Sequence, residues 1–252
     1  MSGKGAEVDR VALVTGASTG IGLAVAKRLQ LDGYALGFHT HRDDDDSRTQ
    51  FEEISARGAA EWISGDLADL ETSGRLVRET VQALGRLDVL VNNAGITLAK
   101  PALELTANDF DTVFAVDVRA AFLLSVAAAE EMVRQGGGAI VNVTSVHEHV
   151  PRPGLALYSA AKAALGMLTR SLALELAPAI RVNAVAPGAI ATERNVEADD
   201  LSSEIPLGRP GTPEEVAAVV SFLVGDDARY VSGASLLVDG ALIQQVVARP
   251  AG

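Results

Sequence analysis

The sequence predicts an α/β fold, a single doubly wound parallel sheet of about seven strands with helices on both faces, and three observations carry that prediction. Short runs rich in Val, Ala and Ile alternate with longer segments of helical periodicity along the 252 residues. Such alternation gives parallel strands joined by right-handed crossovers. The first run ends in a glycine-rich turn, Gly16-Ala17-Ser18-Thr19-Gly20-Ile21-Gly22, which leads straight into a helix. The candidate site residues fall just after strands: Gly16 after the first, Asn92 after the fourth, Ser145 after the fifth, Pro187 after the sixth. A sheet of this kind binds ligands at its carboxyl edge, so these distant residues converge on one crevice.

Arg10 to Thr15 reads as the first strand, and Leu23, Val25, Ala26 and Leu29 follow the glycine turn at helical spacing. Tyr34 to Thr40 is the second strand. The helix from Asp43 to Arg57 turns Phe51 and Ile54 inward, and Asp43 to Asp46 sit where a helix start favours carboxylates. Ala59 to Ser64 is the third strand, ending in Gly65-Asp66-Leu67 before a helix from Asp69 to Leu84. Leu87 to Val91 is the fourth, closed by Asn92-Asn93-Ala94-Gly95. A long alanine-rich helix runs from about Thr106 to Arg134 and is stopped by Gly136 to Gly138.

Ala139 to Thr144, the fifth strand, delivers Ser145, and Pro153-Gly154 break the chain before a helix that opens at Leu155. Ile180 to Ala186 is the sixth strand, after which Pro187-Gly188 begin an irregular segment whose residues 189–211 would cover a substrate. Thr212-Pro213-Glu214-Glu215 is a capping box with proline at the first helical position, and its helix runs to about Val224. Ala234 to Val238 is the seventh strand. The tail, with Leu242, Ile243, Val246 and Val247, suits packing on another subunit. No internal repeat or linker divides the chain, so residues 1–252 read as one domain.

A hydrophobic content of 48% excludes general disorder, and the absence of cysteine removes disulfides, thiolate nucleophiles and cysteine-ligated metals together. The formal charge of −12 disfavours nucleic acid and anionic membranes as partners. The longest apolar runs, such as Ala120 to Ala129 with Ser125 inside it, fall short of the ~20 residues that cross a bilayer, and the N-terminus lacks a signal-peptide core. The expectation is a soluble, cytoplasmic protein.

The glycine turn lets a ligand approach the backbone, and the helix behind it offers free N–H groups to a pyrophosphate. Gly16, Ser18, Thr19, Gly20, Ile21 and Gly22 are therefore candidate dinucleotide contacts. The second strand ends His39-Thr40-His41-Arg42, where an acidic residue would favour NAD and a basic one accepts a 2′-phosphate. His41 and Arg42 favour NADP(H), with NAD(H) still open. His39 and His41, two apart on a strand, would face one side, yet no further His–carboxylate constellation lies nearby and no metal is expected.

Tyr158 falls in the first turn of its helix, and Lys162 follows at i+4 on the same face. A phenol, with a reference pKa of about 10, is a poor base at neutral pH. One cation at about 4 Å favours the phenolate by roughly 4 kcal/mol at an effective dielectric of 20. The pair is thereby a usable proton donor and acceptor.

With Thr15-Gly16-x-x-x-Gly20-Ile21-Gly22, Asn92-Asn93-Ala94-Gly95, Ser145, Tyr158-x-x-x-Lys162 and Pro187-Gly188 in this order and spacing, the chain resembles the short-chain dehydrogenase/reductase family over nearly its whole length. The resemblance implies a Rossmann-type domain, hydride transfer between a nicotinamide and a small-molecule carbonyl or alcohol carbon, and a homotetramer. It implies that Ser145 holds the substrate oxygen, that Tyr158 exchanges its proton, and that Lys162 binds the nicotinamide ribose beside the tyrosine. It further implies that Asp66 and Leu67 meet the adenine, that Asn93, Ala94 and Gly95 line the adenosine side, and that Pro187, Gly188, Ile190 and Thr192 seat the nicotinamide.

One position departs from the pattern. Many members carry Asn in the long helix, supporting a water next to the lysine, where this chain has Asp117. Asp117 either keeps the water through its backbone carbonyl or pairs with Lys162. Ser145-Val146-His147-Glu148 and Gly188-Ala189-Ile190-Ala191-Thr192 with Asn195 look like the corresponding stretches of sugar dehydrogenases of the family, so Ser145, His147 and Asn195 are candidate contacts to a sugar-like substrate. A 3-oxoacyl-[acyl-carrier-protein] reductase is the alternative within the family. A weakly catalytic cofactor-binding sensor or scaffold is the alternative outside enzymology.

Overall fold

The computed structural model describes residues 10–193, 195 and 198–244, so Val246 and Val247 of the tail lie outside the described residues. Its sheet has seven parallel strands: β1 (Val11–Val14), β2 (Ala35–Thr40), β3 (Ala60–Ser64), β4 (Val89–Asn92), β5 (Gly138–Val143), β6 (Ile180–Pro187) and β7 (Ser235–Val238). Their order is β3-β2-β1-β4-β5-β6-β7. The chain builds outward from β1 to β3, then crosses to β4 on the other side of β1. That reversal opens a crevice above the carboxyl ends of β1 and β4.

The central strands are buried on both faces, which is why they read as continuous apolar runs. On one face pack α1 (Gly20–Leu31), α2 (Asp45–Ser55) and α7 (Pro213–Val224), through Val25, Leu29, Ile54, Val216 and Leu223. The other face carries α3 (Leu70–Leu84), α4 (Ala107–Phe114), α5 (Ala121–Arg134) and α6 (Ala156–Glu175), and its core includes Leu76, Leu124, Met132 and Leu172. Phe38, Phe51 and Trp62 form a ring cluster with centroids 5.5 to 5.8 Å apart, which clamps α2 onto β2 and β3. The clamp holds the segment after β2 over the crevice.

The acidic run before α2 is spent on starting that helix. Asp44 caps it by accepting the Ser47 N–H at 2.9 Å, and Asp43 pairs with Arg48. The long helix is not uniform: a π-helical turn, Ala115–Ala120, separates α4 from α5. Taken whole, Ala107–Arg134 is long and apolar enough to cross a membrane by length and composition, a property missed by counting the apolar run alone, which is bounded by Arg119 and Glu130. Half of its most apolar 18 residues are buried in this fold, where they form part of the core against α3 and the sheet.

Candidate active site

A cleft of about 700 Å³ lies over the β1 and β4 ends. It is lined by Gly16, Ser18, Thr19, Gly20, Ile21, Gly22, His41, Arg42, Asp66, Leu67, Asn93, Ala94, Gly95 and Thr192, so most of the expected cofactor residues meet there. Pro187, Gly188, Ile190, Tyr158 and Lys162 do not line it, although Gly95 of its lining borders Lys162. Pro187 ends β6, the Gly188 N–H donates to the Val238 carbonyl, and Ile190 is buried in the core. A second depression of about 780 Å³ lies on the outer face between α4, the π turn and α6, bordered by Phe114, Phe122 and Met167 and by none of the expected site residues.

The glycine turn is built by close contact. Gly16 sits at φ +64°, and a Cβ on Gly22 would collide with the Gly16 carbonyl and the Asn93 amide. Asn93 laces the turn to β4, its amide donating to the Thr15 carbonyl at 2.9 Å and the Gly16 carbonyl at 3.2 Å. Asn92 serves a buried network instead, donating to Asn142 at 2.9 Å and Ser125 at 3.1 Å. The start of α1 is left uncapped by Thr19, whereas α2, α3, α4 and α7 each begin with a side chain accepting a first-turn N–H. Open N–H groups at a helix start that faces the cleft are what a pyrophosphate requires.

His39 is not a partner of His41. His41 lies past the strand end, exposed and 3.9 Å from Asp66, while His39 is only 1% exposed inside β2. The Gly16 N–H donates to His39 Nδ1 at 3.2 Å, which leaves Nε2 to carry the hydrogen and donate to the Gly65 carbonyl at 3.1 Å. Burial pushes the imidazole down to about 4, helped by the charges of His41 and Arg75 and opposed by the bond to Gly65. Its neutral form therefore favours the fold above the ordinary value of 6.5, and that contribution is lost as pH falls from 6.5 through about 4. The full loss is worth roughly 3 kcal/mol. Urea unfolding across that range should show a steeper loss of stability in the wild type than in His39→Asn, which has no imidazole to protonate; equal slopes would refute the assignment.

The residues expected to handle the proton come from three elements. Ser145 ends the β5 connection, is buried, and accepts the His147 N–H at 3.2 Å, which leaves its own hydroxyl hydrogen available. Tyr158 and Lys162 occupy one face of α6, with Lys162 Nζ 5.5 Å from the Tyr158 ring centroid and donating to the Val143 carbonyl at 3.3 Å. The π turn delivers Asp117, whose Oδ2 lies 3.1 Å from Lys162 Nζ and whose Oδ1 accepts the Ile96 N–H at 2.9 Å. Of the two roles open to Asp117, pairing with Lys162 is the one seen. Burial pushes the Lys162 ammonium down, but the Asp117 carboxylate and the Tyr158 oxygen outweigh it and hold the group above its ordinary value. Gly95 borders the pair: a Cβ there would come within 3.1 Å of both Asp117 Oδ2 and Lys162 Nζ. Its bare backbone keeps that side open to a ligand.

The expected substrate contacts separate. His147 lies edge-on to Tyr158, centroids 6.1 Å apart, with Nδ1 3.0 Å from the Val150 carbonyl. Glu148, part of the stretch that resembles sugar dehydrogenases, turns its carboxylate away to accept from Ser235 at 2.9 Å over Gly166. The Asn195 amide donates to the Ile190 carbonyl at 3.1 Å within its own loop. Sequence reasoning missed the tie between His39 and the glycine turn, and the π turn. Asking which acceptor the Gly16 N–H would find could have exposed the first.

A family pattern described as enoyl-(acyl carrier protein) reductase matches residues 16–242. The chain is a short-chain dehydrogenase/reductase. It is 43% identical over 242 residues to the uncharacterized oxidoreductase YohF of Escherichia coli, covering 93% of this chain and 96% of that protein. To the glucose 1-dehydrogenase of Gluconobacter oxydans it is 40% identical, covering 91% and 90%. The crystal structure of acetoin dehydrogenase from Enterobacter cloacae superimposes with a TM-score of 0.89 at 44% identity, covering 96% and 98%. A blue fluorescent protein from a metagenomic library, solved in complex with NADPH, superimposes at 0.88 and 38%, covering 93% and 98%. This short-chain dehydrogenase/reductase thus shares its fold over nearly full length with an NADPH-binding member.

Proposed function

We propose that this short-chain dehydrogenase/reductase is an NADP(H)-preferring enzyme that interconverts a carbonyl and an alcohol on a small, oxygen-rich substrate. The observation that carries the reading is the Lys162 ammonium, buried between Asp117 and Tyr158 at the edge of a cleft whose other end is an uncapped glycine turn. The nicotinamide cofactor, when bound, supplies or accepts the hydride. Ser145 donates its hydroxyl hydrogen to the substrate oxygen. Tyr158 gives its proton to that oxygen in reduction and takes one from it in oxidation. Lys162, charged and immobile, holds the ribose and faces the tyrosine, while the turn from Gly16 to Gly22 receives the pyrophosphate.

Preference for the 2′-phosphate rests on Arg42, exposed at the cleft rim, whose guanidinium has no hydrogen-bond or ion-pair partner among the described residues, its backbone carbonyl alone accepting from Thr40. The substrate class rests on His147, whose ring stands beside Tyr158 and presents a polar group where a long acyl chain would need apolar surface. The names of the relatives, a glucose and an acetoin dehydrogenase, support a substrate with neighbouring oxygens. Exposed Phe122 and Met167, beside the outer depression, support assembly of copies into a homotetramer.

One assay tests both specificities. Nicotinamide absorbance at 340 nm would be followed with sugars, acetoin, diacetyl and an acetoacetyl thioester, each with both cofactors. Turnover is expected with the sugars or hydroxy ketones and NADP(H). Arg42→Ala should raise KM for NADPH by about tenfold, the worth of one charged hydrogen bond, and leave KM for NADH nearly unchanged. Turnover confined to the thioester would replace the substrate class with that of a 3-oxoacyl-[acyl-carrier-protein] reductase. No turnover with any carbonyl would leave a cofactor-binding protein.

A further inference from the structure

His39 touches the cofactor cleft from below without belonging to the proton-handling group. Its backbone carbonyl accepts the Ala17 N–H at 2.8 Å, and its ring Nδ1 accepts the Gly16 N–H at 3.2 Å, so one residue holds two successive amides of the glycine turn. On the ring's far side Nε2 donates to the Gly65 carbonyl at 3.1 Å, and the Gly65 N–H returns a bond to the Thr40 carbonyl at 3.1 Å. Gly65 directly precedes Asp66 and Leu67, which line the cleft opposite the turn. The ring therefore spans directly from one loop to the other, across the β2 backbone to which each loop is also bonded. Only an acceptor on one side and a donor on the other satisfy both, and neutral imidazole supplies the two in a planar frame.

We propose that His39 is the positioning residue of the dinucleotide site, setting the spacing between the glycine turn and the Gly65-Asp66-Leu67 loop so that both can hold the adenosine-diphosphate half of the cofactor at once. The inference rests on the cofactor reading above and goes beyond it by assigning affinity to a residue that does not itself carry the contact. The turn is shaped before the ligand arrives, which spares the ligand the cost of ordering it. An apolar residue at this place would leave the Gly16 N–H and the Gly65 carbonyl, both half-buried, without the partner that now joins them.

The test is calorimetric titration of the full chain with ADP and with NADP⁺, using wild type, His39→Leu and His39→Asn. His39→Leu should weaken both ligands by about tenfold or more, the scale set by buried polar groups left unpaired. His39→Asn, which restores an acceptor for Gly16, should recover most of that loss. At saturating cofactor kcat should stay close to wild type in both variants, so the defect resides in KM. A merely structural role would lower the melting temperature of His39→Leu and leave its ADP affinity alone, and that result overturns the proposal; so does a loss confined to kcat.

Should His39→Leu not fold, the ¹⁵N resonance of His39 Nδ1 and the amide exchange of Gly16 serve in wild type. Both must respond to ADP, and indifference of both overturns the proposal. Failure of the wild type to bind ADP or NADP⁺ at all would instead sink the cofactor reading on which it rests.

Discussion

Tyr158→Phe is expected to lower kcat by roughly 10²–10⁴-fold, the usual worth of a positioned general acid, while the Kd for NADP⁺ stays near wild type. The substitution removes one oxygen and keeps the ring. That ring stands edge-on to His147 and under Lys162 Nζ at 5.5 Å, so Phe preserves the packing that places its neighbours. The loss therefore reports on the proton and not on the shape of the site. Steady-state turnover with any active carbonyl, paired with calorimetric titration of the cofactor, separates the two quantities. A Phe variant within about tenfold of wild-type kcat would be too active for a proton-transferring tyrosine, and the mechanism would have to be abandoned.

Asp117 gives the second large effect. Lys162 is only 4% exposed and its ammonium lies 3.1 Å from the Asp117 carboxylate. Removing one partner of a buried ion pair costs about 3–5 kcal/mol because the other charge is stranded. Asp117→Ala removes that partner and also strands the Ile96 N–H, which now donates to Oδ1 at 2.9 Å. It should lose most of its activity and several kcal/mol of stability in urea unfolding. Asp117→Asn keeps an acceptor for Ile96 and loses only the charge, so it should retain far more activity.

The alkaline limb of kcat/KM in Asp117→Asn is expected at lower pH than in wild type. The sign follows from Lys162: burial alone pushes the ammonium down, and the carboxylate is the leading influence that lifts it above its ordinary 10.5. Stability drawn from this raised lysine is present below 10.5 and is lost only as pH rises beyond it through the folded-state value. An unmoved alkaline limb, or an Asn variant as damaged as the Ala variant, would mean that the charge of Asp117 plays no part.

Much of this was legible in the chain itself. Helices announce themselves through side chains spaced at 3.6 residues and these doubly covered strands through short continuous apolar runs, local properties that need no knowledge of the fold. The crossover rule then gives parallel strands in a doubly wound sheet with its ligand crevice at the carboxyl edge, while the order β3-β2-β1-β4-β5-β6-β7 came from the structure. Gly16, Asn93, Ser145 and Tyr158 each mark the end of a strand or the start of a helix, so placing the elements placed those residues too. The long helix shows the limit of the method. Its periodicity was readable from Thr106 to Arg134, but the extra residue in the turn Ala115–Ala120 leaves little trace in an alanine-rich pattern, and that turn carries Asp117.

The sequence by itself determined the doubly wound sheet, the glycine turn and the Tyr158–Lys162 pair, because each rests on contacts between residues a few places apart or on a topology those contacts dictate. Tertiary structure alone decided the rest. It set His39 between Gly16 and Gly65, 23 and 26 residues away, and brought Asp117 to Lys162. It also turned Glu148 to Ser235, 87 residues on, and folded Asn195 back onto its own loop. The physical reason is the same in each case. A buried polar group must find a partner, and which partner lies within 3 Å or so depends on how whole elements pack, a distance that spacing along the chain does not encode.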